Sequence, residues 1–91
     1  MSHTHQQKGK LRARLARIRG QVDALDRALE EERDCGDVLQ QIAAIRGAAT
    51  GLMKVVLEGH VRDHLAGEER TSKERAQAAE DVIDVLRRYL R

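Results

Sequence analysis

Apolar residues recur at alternating spacings of three and four along most of this chain, and no proline interrupts the pattern anywhere in its 91 residues. The first such stretch consists of Leu11, Leu15, Ile18, Val22, Leu25 and Leu29. This spacing places the side chains on one face of an α-helix that packs along a narrow seam. The pattern therefore predicts a first helix over about residues 7 to 32.

Two further stretches predict two more helices. The second consists of Val38, Ile42, Ile45, Ala49, Leu52 and Val56, after a break where Asp34 can cap a helix and Gly36 can loosen a turn. The third consists of Ala78, Val82, Val85, Leu86 and Tyr89, with Thr71 or Ser72 as its cap. We therefore expect an all-α protein with three antiparallel helices in each subunit.

Length and composition limit the organisation of the chain. We expect a single domain over residues 1–91, in which residues 1–6 form a flexible N-terminal arm. A chain of this size buries only a modest core, so packing between subunits is an expected source of stability. No apolar run reaches the length of a membrane span and no signal peptide is evident, which predicts a cytoplasmic location.

Charge is strongly segregated near the N-terminus. Residues 1–20 carry six basic side chains and no acidic one, whereas residues 21–37 carry seven acids and two arginines. On a helix, Lys10, Arg14 and Arg17 form one stripe beside the apolar seam, at a spacing that suits successive phosphates. The stripe predicts binding to double-stranded DNA.

Other basic residues extend this predicted surface. The full set of candidate DNA contacts is Lys10, Arg14, Arg17, Arg19, Arg46 and Arg91, with Arg87 and Arg88 nearby in the sequence. The alternative interpretation is an ordinary solvated helix face. Because no helix-turn-helix or zinc-finger pattern is present, we expect the protein to read DNA shape and phosphates rather than to insert a recognition helix.

A histidine pair and the single cysteine are candidate metal ligands. His60 and His64 are one helical turn apart, so both imidazoles can reach one ion, although either can also be an ordinary polar residue. The thiolate of Cys35 would add a soft ligand suited to zinc, cobalt or nickel. On one continuous helix, however, 25 positions separate Cys35 from His60 by roughly 37 Å.

That separation predicts a site shared between subunits. If two copies of the second helix cross antiparallel near Gly47, Cys35 of one subunit meets His60 and His64 of the other, which gives two equivalent sites per dimer. Small residues surround the crossing point and would permit close approach, namely Ala43, Ala44, Ala48 and Gly51. The predicted metal site is therefore a property of the dimer.

The N-terminal arm holds two more histidines. If Met1 is removed, the amine of Ser2 and the imidazole of His3 form a nitrogen-rich arm that can close over the ion. Such a higher-coordinate site suits nickel and cobalt better than copper(I). We interpret His5 as an incidental polar residue.

Taken together, these residues resemble the family of copper, nickel/cobalt and formaldehyde repressors known as CsoR, RcnR and FrmR. The resemblance covers nearly the whole chain. It includes the run RLARIRGQ at residues 14–21, the highly specific segment CGDVLQQIAAIRGA at residues 35–48, and GLM at residues 51–53 leading to His60. It implies a disc-shaped tetramer, a dimer of four-helix-bundle dimers, that binds operator DNA without ligand and releases it when ligand binds.

Within this family the set His3, Cys35, His60 and His64 is similar to the nickel/cobalt branch, since copper(I) sensors carry a second cysteine where His64 stands. The resemblance implies nickel(II) or cobalt(II) as the effector, with zinc(II) as a further candidate. Asp34 and Asp63 stand where that branch tends to carry glutamate, which leaves open whether they supply oxygen ligands.

We therefore expect a repressor of a metal efflux or resistance gene, derepressed by metal. The alternative is an electrophile sensor in which formaldehyde modifies Cys35 and the N-terminal amine. An enzyme is not expected, because so short a helical chain shows no acid/base pair and no phosphate-binding loop.

Overall fold

The computed structural model describes residues 7–65 and 71–89. Three α-helices, α1 (Lys8–Glu30), α2 (Cys35–His60) and α3 (Ser72–Tyr89), account for most of these residues. A π-helical turn, Val61–Leu65, continues directly from α2. The described residues contain no strand, so the prediction of an all-α protein with three helices is confirmed. The predicted arm at residues 1–6 lies outside the described residues.

The turn between α1 and α2 is closed by a residue in the left-handed region. Glu32 has a φ of 54°, and the amide of Arg33 donates to the carbonyl of Ala28 over 2.9 Å. This pair of features is typical of a Schellman helix end.

The expectation that Gly36 loosens the turn is wrong, because Gly36 lies inside α2 and has no positive φ. The carbonyl of Asp34 accepts from the amide of Val38, as the expected N-cap of α2 does.

Residues 8–52 form one compact unit, in which α1 and the first part of α2 lie side by side. The guanidinium of Arg14 lies close enough to Gly51 that a Cβ there would be 3.5 Å from it. Both residues are equally far along the chain from the turn, as expected for antiparallel helices. Ala28 is fully buried in this unit.

The predicted apolar seam of α1 is covered on only one side. Leu11, Ile18 and Leu25 are half-buried. Leu15, Val22 and Leu29, which alternate with them, are 41%, 47% and 58% exposed. On α2, Leu39 and Ile42 are exposed in the same way. A single subunit therefore leaves an apolar stripe on each helix of this unit.

Among the described residues, the second compact unit contains residues 7, 53–65 and 71–89. Here α3 packs against the π-helical turn, and the small residues Gly59 and Ala78 are buried. The side chain of Thr71 accepts a hydrogen bond from the amide of Glu74 over 3.1 Å. Thr71 is therefore the N-cap of α3, one of the two caps that the sequence predicted.

None of the described helices combines the length and the apolar character needed to span a membrane.

Candidate metal centre and nucleic-acid surface

The two predicted histidine ligands lie together where α2 ends. His60 is the last residue of α2, and His64 lies in the π-helical turn. Their ring centroids are 4.7 Å apart, and the ring planes are inclined by 50°. Both side chains are partly buried. The structure therefore brings His60 and His64 close enough to chelate one ion, as their spacing predicted.

A hydrogen bond to α3 fixes the orientation of the first ring. Nε2 of His60 lies 3.3 Å from the carbonyl oxygen of Ala78. A carbonyl oxygen only accepts hydrogen bonds, so Nε2 carries the proton and the neutral ring has its lone pair on Nδ1. Metal-bound histidines commonly hold their second nitrogen in this way. In this tautomer Nδ1 is the ring nitrogen whose lone pair could coordinate an ion.

The histidine pair faces a cleft that α3 completes. Besides His60 and His64, the cleft of about 310 Å³ is lined by Glu74, Gln77, Ala78 and Asp81. Sequence patterns identified Ala78 as part of an apolar helix face but gave no reason to choose Glu74, Gln77 or Asp81 as site residues. Their spacing of three and four predicts only that they share one face of α3; which element that face contacts depends on tertiary packing.

Cys35 lies at the opposite end of the same helix. It is the first residue of α2, whereas His60 is the last, and its side chain is exposed. Within the described residues, no three side chains of the types His, Cys, Asp and Glu come together as a metal site. The separation predicted from helix length is therefore present in the chain. His3, His5 and the amine of Ser2 lie outside the described residues.

The predicted DNA-binding stripe is exposed along α1. Lys10, Arg14, Arg17 and Arg19 all have solvent-exposed side chains, as does Arg46 on α2. The first turn of α1 contains no acidic residue. All five residues belong to the compact unit of residues 8–52. The described part of the predicted surface therefore has the exposure that phosphate binding requires; Arg91 lies outside the described residues.

Comparison with known proteins defines the family. A protein-family model described as metal-sensitive transcriptional repressor matches residues 7–88 of this chain. The chain therefore belongs to the family of metal-sensitive transcriptional repressors that includes CsoR, RcnR and FrmR. Its members are repressors and not enzymes, in agreement with the prediction from the sequence.

Individual relatives cover the whole chain. An uncharacterised protein from the 5′ region of bioA in Serratia marcescens is 56% identical over 91 residues, covering 100% of both proteins. The transcriptional repressor RcnR of Citrobacter koseri is 46% identical, again covering 100% of both.

A solved structure supports the same assignment. A variant of the formaldehyde-responsive regulator FrmR from Salmonella enterica serovar Typhimurium superimposes with a TM-score of 0.82 and 46% sequence identity. The match covers 92% of this chain and 94% of that one. The helical fold described above is therefore the fold of this family.

Proposed function

We propose that this protein is a cytoplasmic repressor that senses nickel(II) or cobalt(II), with zinc(II) as a further candidate effector. In this proposal the metal-free protein binds double-stranded operator DNA, and metal binding releases the DNA and derepresses an efflux or resistance gene. The observation that carries the proposal is the histidine pair, His60 and His64, with ring centroids 4.7 Å apart. The full-length similarity to an RcnR repressor supports the choice of effector.

The donor set fits such an ion. Two imidazoles and one thiolate are ligands that nickel, cobalt and zinc accept. His3 and the amine of Ser2 are proposed to complete a higher-coordinate shell. The bound ion would supply a positive charge and a fixed geometry that holds these donors together.

The site is proposed to form across a dimer. Because α2 runs without a break from Cys35 to His60, its ends are roughly 37 Å apart at the usual helical rise. Two copies of α2 that cross antiparallel near Gly47 bring Cys35 of one subunit to the histidines of the other. The exposed apolar side chains Leu39 and Ile42 on α2 support burial against a second copy. A dimer of such dimers is the proposed assembly.

Negative coupling links the metal to DNA. Metal must bind the DNA-incompetent conformation more tightly than the DNA-binding one. A typical coupling free energy between two such ligands is about 1 to 3 kcal/mol per site. We propose that movement of the N-terminal arm and His3 onto the ion displaces α1, which carries the basic stripe. Lys10, Arg14, Arg17, Arg19, Arg46 and Arg91 are the proposed DNA contacts.

Titration of the metal-free protein with cobalt(II), in the presence of operator DNA, tests the proposal. The expected result is a visible thiolate-to-cobalt absorption that rises together with loss of DNA binding. The His3→Leu variant should bind DNA normally without metal and respond weakly to cobalt. DNA binding that is insensitive to both nickel and cobalt would rule out the proposed effector.

Mixed dimers test the shared site. One chain carries Cys35→Ala, and the other carries both His60→Leu and His64→Leu. Neither parent dimer should hold cobalt with thiolate ligation, whereas the mixed dimer should recover one of its two sites. A mixed dimer that gives no thiolate absorption would contradict ligation across the interface.

A formaldehyde-responsive repressor is the second candidate. The exposed Cys35 at the start of α2 supports it, because formaldehyde in solution can reach its thiol. The similarity to FrmR supports it as well. Mass spectrometry after formaldehyde treatment, combined with the DNA-binding assay, distinguishes the candidates, because only this second function requires covalent modification for DNA release.

A further inference from the structure

We propose that Asp63 is a positioning residue for His64, holding the proton of its imidazole on Nε2 so that Nδ1 faces the metal. This inference rests on the proposed metal-sensing function and gives Asp63 a role outside the ligand set. Oδ2 of Asp63 lies 3.5 Å from Nε2 of His64. That oxygen atom is itself shielded from solvent, although the side chain as a whole is 26% exposed.

The chemistry of the two groups determines where the proton resides. An ionised carboxylate only accepts hydrogen bonds, whereas a neutral imidazole has one N–H and one lone pair. The nitrogen that faces the carboxylate therefore carries the proton, and the lone pair is on Nδ1. At 3.5 Å the two atoms are within ion-pair range but do not form a hydrogen bond in the metal-free subunit, and they lie about 0.5 Å farther apart than in a typical N–H···O bond. In this proposal the bond forms when His64 turns towards the ion.

The contact between Asp63 and His64 is not a routine result of helix spacing. Adjacent residues of a regular α-helix do not face each other. Both residues lie in the π-helical turn Val61–Leu65, where the backbone departs from that regular geometry. Such turns are rare and are frequently found at functional sites.

Both histidines direct Nε2 towards an oxygen acceptor, His60 in a hydrogen bond and His64 in a longer contact. Nε2 of His60 faces the carbonyl oxygen of Ala78 at 3.3 Å, and Nε2 of His64 faces the carboxylate of Asp63. On both rings Nδ1 is consequently the nitrogen with the lone pair.

Substitutions at position 63 test the proposal by cobalt(II) affinity and coordination. Asp63→Ala should weaken cobalt binding by roughly 10- to 100-fold, the usual effect of removing such a partner, without reducing the coordination number. Asp63→Glu, which keeps a carboxylate, should recover most of that affinity. The matched control Asp84→Ala, which removes an exposed acid paired with Arg88 on α3, should bind cobalt as the parent protein does. Loss of one oxygen ligand in the X-ray absorption spectrum of Asp63→Ala would overturn the proposal, because Asp63 would then be a ligand.

Nuclear magnetic resonance of the metal-free protein separates failure of this inference from failure of metal sensing. With nitrogen-15-labelled imidazoles at alkaline pH, His64 should carry its proton on Nε2 alone, and Asp63→Ala should give a mixture of the two tautomers. His60, held by Ala78, should be unchanged in both proteins. If His64 has the same tautomer ratio with and without the carboxylate, the inference fails even if cobalt regulates DNA binding. If cobalt does not bind while the tautomer depends on Asp63, the proposed function alone fails.

Discussion

Nε2 of His60 donates a hydrogen bond to the carbonyl oxygen of Ala78 and so connects the end of α2 with the centre of α3. His60 thus has a structural role in the metal-free protein in addition to its proposed role as a ligand. Ala78 is buried, with 4% of its surface exposed, so this hydrogen bond is shielded from water.

For this reason the two histidines should differ in their effect on stability. His60→Leu should lower the free energy of unfolding of the metal-free protein by about 1 kcal/mol, the usual net contribution of one hydrogen bond. His64→Leu preserves the bond to Ala78 and should cost less. Urea unfolding in the presence of a chelator measures both variants. Equal losses in the two variants would show that the bond to Ala78 contributes nothing specific.

Position 47 tests the proposed crossing of two α2 helices. A Cβ at Gly47 would meet nothing within 4 Å in the single subunit, and the same holds for Gly20 on α1. Gly47→Leu should therefore leave the subunit folded but weaken the dimer roughly 5- to 150-fold, corresponding to about 1–3 kcal/mol of overpacking at a close contact. Sedimentation equilibrium measures the dimer dissociation constant. Gly20→Leu is the matched control, and a dimer that is equally stable in both variants would contradict a crossing at Gly47.

The salt dependence of DNA binding tests the basic stripe. Arg17 is exposed on α1 and is proposed to contact one phosphate. Arg17→Ala should reduce the slope of log affinity against log salt concentration by about 1, because one fewer counterion is released. Arg33→Ala is a suitable control, since Arg33 pairs with Asp37 at 3.8 Å in the acidic part of the sequence. Identical slopes for Arg17→Ala and the parent protein would remove Arg17 from the interface.

The turn between α1 and α2 offers a stabilising substitution. Glu32 adopts a φ of 54°, a conformation that disfavours residues with a Cβ and suits glycine at a helix end. Glu32→Gly should therefore raise the free energy of unfolding by up to about 1 kcal/mol. Glu31→Gly, one residue earlier and without a positive φ, should instead be destabilising. Thermal unfolding of both variants checks the sign, and a loss of stability in Glu32→Gly would show that the left-handed residue is not strained.

Much of the candidate site follows from local sequence. The spacing of His60 and His64 predicted their proximity, and the length of α2 predicted that Cys35 lies far from them. The cleft formed with Glu74 and Asp81 was not predictable, because residue spacing on α3 identifies a face without identifying what packs against it. The contact between Asp63 and His64 was not predictable either, because it depends on a departure from α-helical geometry.

The sequence by itself determined the three helices, a cap for α3 at Thr71 or Ser72, and the segregation of basic and acidic charge. These features depend on residue spacing and on the absence of proline, which act over a few residues at a time. Only the tertiary structure decided that Leu11, Ile18 and Leu25 are covered while Leu15, Val22 and Leu29 are exposed, since an apolar stripe does not specify which of its sides meets a neighbour. Only the tertiary structure placed the left-handed residue at Glu32 rather than at a glycine, because the packing of α1 and α2 fixes where the chain reverses.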